Sequence, residues 1–268
     1  MPALPGLIAV QCNLDRGGKF TGAESGPVTW DTAKGFARAL ALETPDAAIV
    51  GMQELDSDQT AAKVRELLHQ STGKDWTFLW TPQGLNDRGD GLAIFWRRDL
   101  ISMERDLGKT PLDFLDDGAV LSAMGAWFRH LESSRTFGFF TARLAPPSAD
   151  RGAMPVTTWV QRMEAWRLRE WIARVMEPHP DDARILAVDL ESSWASPAWF
   201  ELRRDFEPDA DKRFTVCSHT ALFKGKRYDY LWWDGHSGPR LHGGRVGRPG
   251  RSEHFGGSHR FVWAKLKL

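Results

Sequence analysis

The order of elements along this chain predicts an α/β protein built as two packed sheets flanked by helices. Three observations predict it. Short apolar runs bounded by Gly, Pro and Asp recur from one end of the chain to the other. Stretches of helical period are interspersed among them. No repeat, low-complexity tract or linker divides the sequence, so residues 1–268 read as a single domain.

Residues 7–14 form a short apolar strand. Asp31 is placed to cap a helix that runs to about Glu43, with Ala33, Phe36, Ala37, Leu40 and Ala41 on one face. Pro45-Asp46 ends it, and residues 47–52 are continuously apolar, as in a strand covered on both faces. A second helix spans about 60–70, with Val64, Leu67 and Leu68 apolar. Residues 76–80, 91–96, 120–128 and 136–144 then read as successive strands. Residues 154–176 form a long helix in which Trp159, Met163 and Trp166 fall at i, i+4 and i+7, followed by Leu168, Trp171, Ile172 and Val175. The Trp residues of that row are expected to face the core. Residues 184–188, 214–218, 228–233 and 260–266 are the closing strands.

Composition excludes several classes. Hydrophobic residues at 42% and charged residues at 26% are globular values, not those of a disordered chain. No apolar run approaches the ~18 residues of a membrane span, and residues 1–10 lack the basic start of a secretory signal. Two cysteines, Cys12 and Cys217, make no disulfide framework and fit a reducing cytoplasm. The 35 Lys+Arg balance 35 Asp+Glu, so no uniformly basic shell exists to grip duplex nucleic acid. That neutrality is a sum of opposites. Residues 181–211 carry nine acids and three Arg, a net −6, whereas residues 235–268 carry seven cations and one acid, a net +6. The Gly-, Arg- and His-rich stretch 235–257 reads as a binding loop. Thirteen Trp beside two Tyr indicate a heavy core or an aromatic-lined site.

Polar residues recur where buried strands end, a costly place to leave them without a use. They are Asn13, Gln53-Glu54, Asp189 with Glu191, Asp229, and His259. Taken singly, each has a bland reading as a turn or cap. In order and spacing, the series resembles the endonuclease/exonuclease/phosphatase superfamily, the deoxyribonuclease I-like fold, over nearly the whole chain. The family's first strand ends in Asn, as at Asn13, and its second reads "pDivglQE", which Pro45-Asp46 through Gln53-Glu54 match closely. Gly91-Leu92-Ala93-Ile94 is similar to the family's "G-x-A-I", and Val188-Asp189-Leu190-Glu191 to its "GDFN". Tyr228-Asp229-Tyr230-Leu231 is similar to "IDYI", and 257–266 to the closing "SDHxPVxAxL".

The resemblance implies a four-layer α/β/β/α sandwich of two mostly antiparallel mixed sheets. It also implies metal-dependent hydrolysis of a phosphoester with Mg2+ or Mn2+, held by Glu54 and Asn13. Asp189 would orient or deprotonate the attacking water, and His259, its tautomer fixed by Asp229, would donate to phosphoryl oxygens. Three positions depart from the family pattern. Arg143 stands for a His, Glu191 for an Asn, and Ser258 for an Asp. Arg143 can bind a phosphate oxygen bidentately but exchanges no proton at neutral pH, and an Arg143–Glu191 pair would compensate two changes at once. Arg260 and His254 are further substrate-binding candidates, and 252–255 is a rival match for the "SDH" element, so His254 stands beside His259 for that role.

The first functional reading is therefore a metal-dependent phosphoester hydrolase acting on a small-molecule or single-stranded substrate rather than duplex DNA. The alternative is a repurposed member that catalyses an acid/base reaction on an aromatic or other organic molecule without a catalytic metal. A silent binding protein of the same fold is the third.

Overall fold

The computed structural model describes residues 6–14, 28–82, 91–112, 121–145, 154–192, 195–208, 229–234, 242–246 and 261–267. The first half runs β1 (Gly6–Asn13), α1 (Val28–Glu43), β2 (Ala47–Leu55), α2 (Asp58–Thr72), β3 (Trp76–Thr81), β4 (Gly91–Arg97), β5 (Ile101–Pro111) and β6 (Ser122–His130). There follow β7 (Thr136–Arg143), α3 (Met154–Met176), β8 (Ala183–Asp189), α4 (Pro197–Leu202), β9 (Phe206–Pro208), β10 (Asp229–Asp234), β11 (His242–Val246) and β12 (Val262–Lys267).

Two six-stranded sheets result, ordered β11-β12-β1-β2-β4-β3 and β5-β6-β7-β8-β10-β9. Each contains one parallel pair, β1 with β2 and β7 with β8, and every other pairing is antiparallel. A parallel pair needs a crossover, and α1 and α3 supply them. The expected α/β sandwich of two mixed sheets is therefore observed. Apolar side chains divide into three layers. Ile49, Ile94, Phe128, Phe139 and Leu231 fill the space between the sheets. Phe36, Leu40, Val64 and Leu68 cover the outer face of the first sheet. Leu168, Trp171 and Ile172 of α3 cover the second, against Phe140, Leu186 and Trp232.

Local chemistry sets the boundaries. Ser57 caps α2 by accepting from the Thr60 amide, and Gly73 closes it at φ +66°. Asp31 lies inside α1 rather than at its start, because the helix begins at Val28, directly after Pro27. Three strands and one short helix were not expected from the sequence: β5, β9, β11 and α4. β5, β9 and β11 each end a sheet, where alternation of apolar and polar residues is weakest. β11 also corrects the reading of 235–257 as loop throughout. The strand expected at 214–218 lies outside the described residues.

The Trp row of α3 is a second correction. Trp159 is 56% exposed and Trp166 is 41% exposed. The buried face is carried instead by Val160, Ala165, Leu168, Trp171, Ile172 and Met176. The physical reason is at the same helix turn, where Gln161 and Glu164 turn inward to bind backbone, which rotates the Trp pair outward. Trp76, Trp96, Trp171, Trp232 and Trp233 are buried, so much of the Trp excess is core. No described helix is long and apolar enough to cross a membrane.

The sheets approach closely at Gly51, two residues before Gln53. A methyl added to Gly51 would lie 2.5 Å from Ala187 Cβ and 3.2 Å from Thr141 Oγ1. Gly51→Ala is therefore expected to cost roughly 1–3 kcal/mol through overpacking, read as a melting temperature lower by about 2–4 °C per kcal/mol. Adding Ala187→Gly should restore most of the loss, and a double variant no better than the single would show that the contact is not the cause.

Candidate active site

The two parallel pairs bring the ends of β1, β2, β7 and β8 together across the sandwich. In β1, Gln11 and Asn13 share one side of the strand at i, i+2, and both reach the opposite sheet. Asn13 Nδ2 donates to Asp189 Oδ2 at 2.7 Å and to Glu54 Oε1 at 3.0 Å. Gln11 Nε2 donates to Asp229 Oδ1 at 2.8 Å and to Gln53 Oε1 at 2.9 Å. In β7, Thr141 and Arg143 have the same spacing. Thr141 Oγ1 accepts from Gln53 Nε2 at 2.7 Å, and Arg143 lies opposite Asp189 in the β7–β8 register.

Gln53 and Glu54 are adjacent, so regular alternation would send them to opposite faces. A bulge prevents this. β4 pairs Leu92 with Gln53 and Gly91 with Leu55, which leaves Glu54 unmatched, at φ +62°. Both side chains then face the second sheet. Glu191 also has positive φ, at +48°. Its amide donates to Asp189 Oδ1 at 3.0 Å, a local turn that brings the Glu191 carboxylate back over the strand end. Two non-glycine residues in this conformation at one site represent a strain of order 1–3 kcal/mol each.

Among the described residues, Arg143 is the cation of the cluster. Its Nη2 lies 2.7 Å from Glu54 Oε1 and 2.7 Å from Glu191 Oε1, and its Nε lies 3.8 Å from Asp189 Oδ2. Nε also donates to Glu191 Oε1 at 3.2 Å. The Arg143–Glu191 pair expected from the two departures is thus formed, and Glu54 joins it. Burial acts to lower the guanidinium pKa, but the charges of Glu54, Glu191 and Asp189 outweigh it and hold the group above its ordinary value. Cys12 beside Asn13 is buried, and that burial, with Asp229 nearby, pushes its thiol well up, so it is an inert core residue.

Carboxylate oxygens of Glu54, Asp189 and Glu191 lie within 4.8 Å of one another, with the Asn13 amide bound to two of the three residues. Hard oxygen donors at this spacing suit Mg2+ or Mn2+, so the residues present fit such an ion. Arg143 draws on the same oxygens.

Of the sequence-predicted residues, the structure therefore gathers Asn13, Glu54, Arg143, Asp189 and Glu191 in one cluster. Asp229 stands beside it, opposite Asp189 in the β8–β10 register and held by Gln11. His259, His254, Arg260 and Ser258 lie outside the described residues. Sequence reasoning singled out Gln53 and missed the other supports. Gln11, Gln53 and Thr141 form a polar layer beneath the cluster. Gln161 Nε2 donates to Ala145 O at 2.7 Å, and Glu164 Oε2 accepts from Ala145 N at 2.9 Å, which fixes the chain just after Arg143. The available signal was two polar residues at i, i+3 within the apolar face of α3.

Three acids of residues 181–211 are engaged away from the site. Asp182 accepts from Trp127 Nε1 and Thr136 Oγ1, each at 2.7 Å, and Glu201 and Asp205 bind Arg169, each at 2.6 Å. Among the described residues of the −6 segment, Asp189 and Glu191 are the acids at the site.

Arg143→Met keeps length but removes the charge. It is expected to lower stability at neutral pH by roughly 3–5 kcal/mol, because it leaves buried carboxylates beside an apolar group. Denaturant titration checks this, and a change below about 1 kcal/mol would show that the charges are balanced without Arg143. The raised pKa fixes the sign of the pH effect. The contribution of Arg143 is complete below the ordinary guanidinium value and is lost only as pH rises past the raised one, so it should not vary between about pH 6 and 9.

No protein-family model and no curated protein matches this chain. Solved structures do. An endonuclease/exonuclease/phosphatase from Bacteroides vulgatus has a TM-score of 0.73 at 13% identity, covering 98% of this chain and 99% of that one. The mannosyl-6-phosphatase of Bacteroides thetaiotaomicron has a TM-score of 0.71 at 14% identity, covering 98% and 100%. The human Nocturnin catalytic domain with bound sulfate has a TM-score of 0.72 at 14% identity, covering 99% and 96%. Identity this low speaks for architecture alone, and the fold of this chain is that of the endonuclease/exonuclease/phosphatase superfamily.

Proposed function

We propose that this chain is a divalent-metal-dependent hydrolase of phosphoesters, acting on a small-molecule or single-stranded substrate rather than duplex DNA. One observation carries the reading: the oxygens of Glu54, Asp189 and Glu191 converge within 4.8 Å from the ends of β2 and β8, with Asn13 of β1 bridging Glu54 and Asp189. The fold neighbours add support, since one is named a phosphatase and another holds sulfate, an anion of phosphate's shape. The balanced charge of the chain argues against a duplex ligand.

Glu54 and Asn13 would hold Mg2+ or Mn2+. Bound there, the ion would neutralise charge on the phosphoryl and leaving oxygens. Asp189 receives hydrogen bonds from Asn13 and from the Glu191 amide, which fixes its carboxylate for orienting water or taking its proton. Asp229 is held by Gln11 and would set the tautomer of His259, which donates to a phosphoryl oxygen. Arg143, steered by Glu54 and Glu191, would contact a second phosphoryl oxygen. Arg260 and His254, on the cationic segment, would contact the anionic substrate.

A second reading has its own observation. Arg143 engages Glu54 and Glu191 at 2.7 Å each, and so supplies positive charge where the metal would. On that reading the site performs acid/base chemistry on an organic molecule without a catalytic metal, with Glu191, Asp229 or His259 exchanging the proton.

Incubation with Mg2+ or Mn2+ and a panel of plasmid, abasic oligonucleotide, bis-aryl phosphodiester and aryl phosphate separates the two. The hydrolase reading expects metal-dependent turnover that falls in Glu54→Ala by more than the roughly 10–100-fold cost of losing a supporting partner. Asp189→Asn should lose about 10²–10⁴-fold. Calorimetry with Mn2+ supplies the other arm: the hydrolase reading expects binding in the wild type that Glu54→Ala abolishes. Absence of both turnover and metal binding would give the site to the second reading.

A further inference from the structure

The outward Trp row of α3 borders a groove that the catalytic reading does not use. Trp159, Arg162, Met163, Trp166, Glu201 and Arg204 line a recess of about 380 Å³ between α3 and α4, within the size range of small-molecule sites. It lies on the far side of α3 from the acidic cluster. Gln161 turns inward, with Nε2 3.4 Å from the Glu191 carbonyl, whereas Arg162, the next residue, lines the groove.

Two features select a ligand class. Trp159 and Trp166 present half-exposed indoles one heptad apart with Met163 between them, a surface for a flat ring. Arg162 and Arg204 have side chains 52% and 60% exposed, and each meets buried Glu201 through one nitrogen, at 3.4 and 3.3 Å. Glu201 therefore anchors both guanidiniums, and each has five N–H donors in all. The groove lining carries two cations to one acid. Stacking surface beside paired guanidiniums is complementary to an aromatic ring that bears an anionic group, and Arg matches phosphate geometry bidentately.

We propose that this groove binds a phosphorylated nucleoside, the base stacked on the Trp159 and Trp166 indoles and the phosphate held by Arg162 and Arg204. A free nucleotide and a single-stranded nucleic acid present the same chemistry. The proposal does not rest on the hydrolase reading, since it concerns binding on the other side of the helix.

Calorimetric titration in EDTA tests it, with adenosine 5′-monophosphate, adenosine, inorganic phosphate and a five-residue oligothymidylate as probes. The monophosphate should bind more tightly than adenosine or phosphate. Trp159→Leu or Trp166→Leu should weaken it roughly 5–100-fold, the range of one lost base stack, and Arg204→Gln roughly tenfold. Glu54→Gln should leave it unchanged. All three groove substitutions fall on exposed side chains, so unchanged melting curves should accompany the loss. An oligonucleotide bound more tightly than the monophosphate identifies a strand as the source, and equal affinities identify a free nucleotide; either sustains the site. Two results overturn it: no saturable heat from monophosphate or oligonucleotide, or binding that Glu54→Gln abolishes while the groove variants leave it intact.

Discussion

The Arg143 guanidinium among three buried carboxylates sets the terms for everything around it. Arg143 meets Glu54 and Glu191 at 2.7 Å and stands near Asp189. Like charges so close in a low-dielectric setting repel strongly, so the ends of β2 and β8 depend on the cation that β7 brings between them. β7 can bring it because it runs parallel to β8, with Arg143 directly opposite Asp189. That pairing in turn requires the α3 crossover, and α3 returns to the same place by binding Ala145 through Gln161 and Glu164. Topology, helix placement and charge balance are thus one arrangement viewed at three scales.

The polar layer beneath the cluster explains its rigidity. Gln11, Gln53 and Thr141 link both sheets through side-chain hydrogen bonds in an otherwise apolar interior. Bonds of this kind contribute modestly when made and cost more when one partner is lost. They also fix how far apart the sheets stand, together with the missing side chain at Gly51. The positive φ values of Glu54 and Glu191 survive because this surrounding framework leaves the chain no cheaper course.

Much of this was legible in the sequence, and the reasons differ by residue. Continuous apolar runs such as 47–52 announced strands covered on both faces, and Asn13, Glu54, Asp189 and Glu191 stood out because each lies where such a run ends, whereas Arg143 stood out as a departure from the family pattern. Their meeting in one cluster was implied by family resemblance rather than by spacing. The bulge at Glu54 was not legible, since a one-residue mismatch belongs to the pairing and not to either strand alone. Trp159 and Trp166 misled because a row at helical spacing gives a face but not its direction. Gln161 and Glu164 decide the direction, and a polar residue that satisfies buried backbone looks the same in sequence as one that faces water.

The strand hardest to read has a use that follows from what hid it. β5 ends the second sheet, and its exposed middle carries Glu104, Arg105 and Asp106, with two irregularities in its pairing to β6 and Gly108 at φ +79°. An unpaired sheet edge is a template for another chain, and charge and bulging spoil the template. The same residues that broke the alternation expected of a strand therefore discourage edge-to-edge aggregation on that side of the sandwich. Engineering β5 toward a smoother, more apolar pattern would make it easier to recognise and would expose the protein to self-association.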